Sequence, residues 1–229
     1  MPANTSLTVD FCSDTKFDDP DGAGPLQGFC KGNGCFGYAR VDAESGKQIV
    51  VVSEAQRDFT LNGTQQYFTF YHNGLTSRSK NYVSPIAFAG HSGFRSGIGV
   101  VNLESASTVV TMTYKADPSY GGQTYVRTLT LGPNAFDGWT MTLIGIPTSF
   151  GSVTLESSTT NVVAYNTTDK KSQAFSIPAL NPAIATTKAA FPVAFNTGTF
   201  DDWLSGLGVY AVGGNAQVKS TWVRANTDP

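Results

Sequence analysis

At 229 residues, with 14% charged side chains and a net charge of −2, the chain has room for two ordinary domains but lacks the clustered Lys and Arg of a nucleic-acid surface. No apolar run approaches the roughly 20 residues that cross a bilayer as a helix, so membrane insertion is not expected. The 24 Gly and 11 Pro fall between short runs and read as turn punctuation rather than disorder.

The start, Met1 to Ser6, carries neither the basic region nor the apolar segment of a secretory signal, which predicts a mature or cytosolic chain. Residues 6–11 then alternate, with Leu7, Val9 and Phe11 on one face and Thr8 and Asp10 on the other, as a half-buried strand does. Three cysteines follow, Cys12, Cys30 and Cys35, and their clustering reads as local stapling with one thiol left over. A zinc site needs a fourth ligand, and His72 and His91 are distant in sequence. Asp18, Asp19 and Asp21 give oxygen ligands at a spacing that suits calcium, against the plainer reading of a solvated turn. No other cofactor is expected.

Phe36–Asp42 and Gln48–Val52 read as a hairpin turning at Glu44–Lys47, and Gln66–Tyr71 is strand-like within a connector, 59–80. From there the chain states a motif: Pro85-Ile86-Ala87-Phe88, then Ser96-Gly97-Ile98-Gly99-Val100, then the alternating Val109–Lys115. Thr124–Leu131 and Trp139–Ile144 are two further expected strands, and Phe150–Glu156 with Val162–Tyr165 a second hairpin, turning at Ser158–Asn161. After a connector that is extended or irregular across Ile177–Pro182, the motif returns. It reads Pro192-Val193-Ala194-Phe195, then Ser205-Gly206-Leu207-Gly208-Val209, then Val218–Arg224. Ser96–Ala116 aligns without a gap against Ser205–Ala225, and Phe94 faces Trp203.

The recurrence, roughly 105 residues, is the size of one β-sandwich. Residues 6–11 match Val110, Met112 and Tyr114, while Phe36–Asp42 matches Phe150–Glu156. The expected fold is therefore all-β: two immunoglobulin-like β-sandwich domains in tandem, 1–80 and 81–190, plus a C-terminal β-hairpin, 191–229. In the first domain the cysteine-bearing Gly22–Gly34 stands where its counterpart has two strands.

This motif set resembles tandem immunoglobulin-like repeats of secreted prokaryotic surface proteins. The resemblance implies an extracellular or cell-surface location and an architectural or adhesive role without catalysis. Sequons at Asn4, Asn62 and Asn166 agree with that location as glycosylation candidates. The phase mismatch between chain and repeat also resembles filament subunits joined by strand donation, whose partners are copies of the same chain. On that reading Leu207, Val209, Val218, Trp222 and Val223 are donor residues, and Leu7, Val9 and Phe11 belong to the acceptor strand.

From a different class, a monomeric carbohydrate-binding or adhesive module would recognise a surface glycan or a host receptor through stacked aromatics. Tyr120, Trp139, Trp203 and Trp222 are its candidates, although Trp139 and Trp203 also suit a core. A viral coat or fibre protein has much the same composition. Nucleophile elbows, P-loops and paired-His motifs are missing, and Gly97-Ile98-Gly99 lacks the third glycine of a dinucleotide fingerprint, so no enzyme is expected. His91, within Gly90-His91-Ser92-Gly93, reads as a loop residue.

Overall fold

The computed structural model describes residues 51–61, 64–73, 75, 78–170, 173–186 and 209–219. The chain divides into two compact units, 1–42 and 43–229. All the described residues belong to the second unit.

This region is all-β and antiparallel. Its strands are β1 (Val52–Leu61), β2 (Thr64–Asn73), β3 (Asn81–Ala89), β4 (Arg95–Val101), β5 (Thr108–Ala116), β6 (Thr124–Leu131), β7 (Phe136–Thr140), β8 (Ser149–Ser157), β9 (Val163–Lys170) and β10 (Gln173–Pro178). Among the described residues helix is confined to single 3-10 turns at His91–Gly93, Pro118–Tyr120 and Pro182–Ile184. β1 and β2 form a separate hairpin in register from Val52↔Asn73 to Leu61↔Thr64, and β2 runs beside β10.

β3 to β10 make a β-sandwich-like body. One layer has the order β6-β5-β8-β3 and the other β10-β9-β4-β7. They join where β3 turns into β4, with Ala89↔Arg95 the single aligned pair. Alternation explains the layering. β5 buries Thr108, Val110, Met112, Tyr114 and Ala116 while its intervening residues face outward, and β8 does the same with Val153 and Leu155. The opposite layer sends in Ile98, Val100, Trp139 and Ala164, so the apolar cluster draws on both. Each such side chain withdrawn from water contributes about 1.5–3 kcal/mol before the entropy of ordering is set against it.

Three expectations change. Ser158–Asn161 is not a hairpin turn, because β8 pairs with β3 and β5 whereas β9 pairs with β4 and β10. The segment is an arch between layers, held to the start of β5 by Ser158 N–H donating to the Val109 carbonyl (2.9 Å) and Thr159 N–H to Thr108 Oγ1 (3.2 Å). The expected strand Trp139–Ile144 lies earlier, at Phe136–Thr140, and the chain then turns. Met141 and Ile146 plug the core while Leu143 is left 82% exposed, a pattern that no continuous strand permits. Finally, residues 209–219 contain no strand, although Leu207–Val212 and Val218–Arg224 were expected to form two.

Candidate functional site

The recurring Ser-Gly-Ile-Gly-Val motif occupies β4, which is paired on both sides, with β9 and β7. Ser96, Ile98 and Val100 point inward and are 0, 2 and 0% exposed. The glycines face outward for a steric reason. Gly99 sits opposite Tyr165, and a Cβ there would lie 2.2 Å from the Tyr165 ring. That ring covers the β4 backbone and stacks on Phe136, with centroids 6.2 Å apart and planes 4° from parallel. Burial pushes the Tyr165 phenol up to about 12. On the other side a Cβ at Gly138 would meet the Ile98 carbonyl oxygen at 2.1 Å. Both glycines permit close approach rather than an unusual backbone angle.

Under this strand runs a buried polar ladder. Ser96 Oγ and Thr168 Oγ1 are 2.7 Å apart, and Ser96 Oγ accepts from Phe88 N–H at 2.9 Å. Asn166 Nδ2 donates to Ser84 Oγ and to the Ile86 carbonyl, both at 2.8 Å, and Thr168 Oγ1 donates to Asn166 Oδ1 at 3.4 Å. The Pro85-Ile86 part of the motif serves this ladder: the β3–β8 register shifts between Ser84 and Ala87, and Pro85 has no N–H to lose there. Asn166 is 0% exposed with its amide nitrogen engaged twice. A glycan on that nitrogen has no room, which corrects its reading as a glycosylation candidate.

A second buried asparagine closes one end of the sandwich. Asn102 Nδ2 donates to the Ala106 and Gly132 carbonyls at 2.8 Å each, and its Oδ1 accepts from Glu104 N–H (3.1 Å) and Thr160 Oγ1 (3.3 Å). One side chain thereby ties the β4–β5, β6–β7 and β8–β9 connections together. Among the described residues no buried side-chain nitrogen or oxygen lacks a partner.

At the opposite end His91 sits in a tight turn where Gly90, Ser92 and Gly93 have φ of 82, 52 and 80°. It belongs to the loop between β3 and β4 and is half-buried. Its ring stacks on Phe88, meets Phe150 and Tyr120 edge-on, and is hydrogen-bonded through Nδ1 to the Tyr120 hydroxyl. Beside it Lys170 Nζ stands 4.9 Å over the Phe94 ring, and Arg95 holds Asp169 in a two-pronged ion pair. Hydrogen bonding to Asp169 raises the Arg95 pKa. Trp139, a candidate sugar platform, is only 8% exposed and belongs to the core, and Tyr120 packs edge-on against His91 and Phe150.

Of the expected donor residues, Val209 and Val218 are described, and they are 52% and 61% exposed. Part of this segment lies on the sheet: Tyr210, Val212 and Gly213 line a groove with Asn81, Val83, Thr111, Thr113, Thr154 and Pro182. Leu207, Trp222 and Val223, the acceptor residues Leu7, Val9 and Phe11, and Trp203 lie outside the described residues. So do Cys12, Cys30 and Cys35, the calcium candidates Asp18, Asp19 and Asp21, and the sequons Asn4 and Asn62. Among the described residues no group of His, Cys, Asp or Glu is placed to hold a metal ion, and no helix is long and apolar enough to cross a membrane.

No protein-family model matches the chain, and no curated protein does. Among solved structures it is similar to the crystal structure of Thermotoga maritima 1070, at 15% identity and a TM-score of 0.39, over 46% of this chain and 96% of that one. A likeness of that size carries no argument about activity.

Proposed function

We propose that the chain is a non-catalytic structural subunit of an extracellular filament or surface layer, built from tandem immunoglobulin-like sandwich modules that are joined head to tail by β-strand complementation. Its partners are copies of itself, and the C-terminal segment 191–229 supplies the donor strands. Completing a sheet with a strand from a neighbour satisfies backbone donors and acceptors that an exposed edge leaves open. A head-to-tail contact of this kind does not close on itself and extends into a fibre.

One observation carries the reading. Val209 and Tyr210 occupy the repeat positions of Val100 and Val101, which are 0% and 6% exposed at the centre of a layer, yet they are 52% and 37% exposed and outside any strand. A sequence that matches an interior strand thus lies outside any strand and partly exposed. On this reading a neighbouring copy supplies the strands that flank it, the equivalents of β9 and β7. Deleting 191–229 tests this. The full chain is expected to form filaments visible by electron microscopy, and the shortened chain to sediment as a monomer; filaments from the shortened chain overturn the proposal.

A further inference from the structure

The outer face of the β3-β8-β5 layer bears a seat, and the segment that contains the exposed donor residues lies across it. Val83 points away from the core cluster, opposite in sense to Tyr82 and Ser84, yet is only 5% exposed. Leu180 caps it through paired backbone hydrogen bonds, its N–H to the Val83 carbonyl and the Val83 N–H to its own carbonyl, both 2.8 Å. Val83 pairs with Thr154, and Thr154 with Thr113, so these three make one row across the layer. Tyr210, Val212 and Gly213 line the groove along this row. The hydroxyl-bearing floor is short-chained, which leaves room for a strap above it, and Gly213 and Gly214, at φ of 80 and 152°, let the strap bend.

We propose that this groove is a parking seat for residues 209–213, which keeps the donor segment on its own subunit until a neighbour takes it. The inference rests on the strand-complementation reading. With Tyr210 and Val212 on the outer face, the segment cannot also lie between two strands of another sandwich, so the two positions exclude each other. The seat slows assembly by reducing the fraction of donor segments that are free.

Chymotrypsin cleavage after Tyr210, which lines the groove, followed by mass spectrometry on dilute monomeric protein, reads the seat directly. Filling the groove from outside the core with Thr113→Gln and Thr154→Gln should speed that cleavage on the order of fivefold, because proteolysis tracks the open population. Val212→Asp should do the same from the strap side, at a site too exposed to unfold the sandwich. Both variants should also shorten the lag before filaments appear. Unchanged cleavage in both overturns the seat. Faster cleavage with an unaltered assembly rate overturns the braking role and leaves strand complementation standing. If neither the wild type nor any variant assembles, the complementation reading fails and takes the brake with it, whatever the cleavage rate.

Discussion

Gly99→Ala tests the physical account of the repeated motif. The new Cβ would lie 2.2 Å from the Tyr165 ring, more than an ångström inside ordinary contact. Either Tyr165 leaves its place over β4 or the β4–β9 pairing opens. Overpacking of this kind costs about 1–3 kcal/mol, and loss of the Tyr165–Phe136 stack adds about 0.5–1.5 kcal/mol. Because the ring can swing partly aside, the expected net loss is about 2 kcal/mol, lowering the urea midpoint by about 1 M for a domain of this size. The control is the same substitution in a Tyr165→Ala background. There the obstacle is absent, and alanine in a strand is favoured over glycine by about 0.5–1 kcal/mol. The double-mutant cycle should therefore give a coupling energy of about 2–3 kcal/mol, well beyond the few tenths seen for independent sites. Gly138→Ala makes the contrast, since its Cβ would meet the Ile98 carbonyl oxygen, which no side-chain truncation removes. Equal losses for Gly99→Ala with and without Tyr165 refute the reasoning.

Asn102→Ala leaves the Ala106 and Gly132 carbonyls and the Glu104 N–H without their partner, and should cost about 3 kcal/mol in urea unfolding; a loss below about 1 kcal/mol contradicts its role as the clasp. Thr168→Val keeps the shape but strips partners from Ser96 and Asn166, so it should destabilise by about 1–2 kcal/mol, and a more stable variant would mean that the ladder contributes nothing. Tyr82 donates its hydroxyl to the Val162 carbonyl, and burial pushes its pKa up to about 12. The folded state thus holds the proton that an unfolded phenol releases near pH 10. Its contribution is whole below about pH 10 and falls by up to about 1.4 kcal/mol per pH unit as pH rises toward 12. Tyrosinate absorbance should show Tyr82 and Tyr165 ionising only with unfolding, and their ionisation near pH 10 in native protein would refute the assignment.

What the sequence makes legible follows from the range of the forces involved. β5, β6 and β8 are readable because alternation is local: Val110, Met112 and Tyr114 declare a face without reference to the rest of the chain. The arch at Ser158–Asn161 is not, since four polar residues serve a hairpin and a crossing between layers equally well. The run from Trp139 to Ile144 misleads for a related reason. Trp139, Met141 and Leu143 alternate with Thr140 and Thr142 as in a strand, and only the finished core decides that Met141 turns in and Leu143 is left out. The site residues are harder still. Asn102 has the composition signal of a turn, and its burial depends on three connections far apart in sequence. Gly99 can be flagged as a glycine within a strand, but its reason, Tyr165, stands 66 positions away on the chain and is visible only once β9 is known to pair with β4.

The buried ladder bears on how strands of similar sequence are kept apart. An apolar core of valines and isoleucines accepts any strand of the right length, and a chain carrying several similar copies invites exchange between them. Ser96, Asn166 and Thr168 remove that freedom, because a hydroxyl or amide buried opposite the wrong residue is left unpaired at about 1–3 kcal/mol. The later copy keeps this requirement: Ser205 stands in the position of Ser96, so a strand that accepts it must present a Thr168-like partner on β9. Complementation by an unrelated sheet edge would satisfy the backbone but strand that hydroxyl. On the strand-complementation proposal, the motif's serine would favour acceptors that offer it such a partner over unrelated sheet edges.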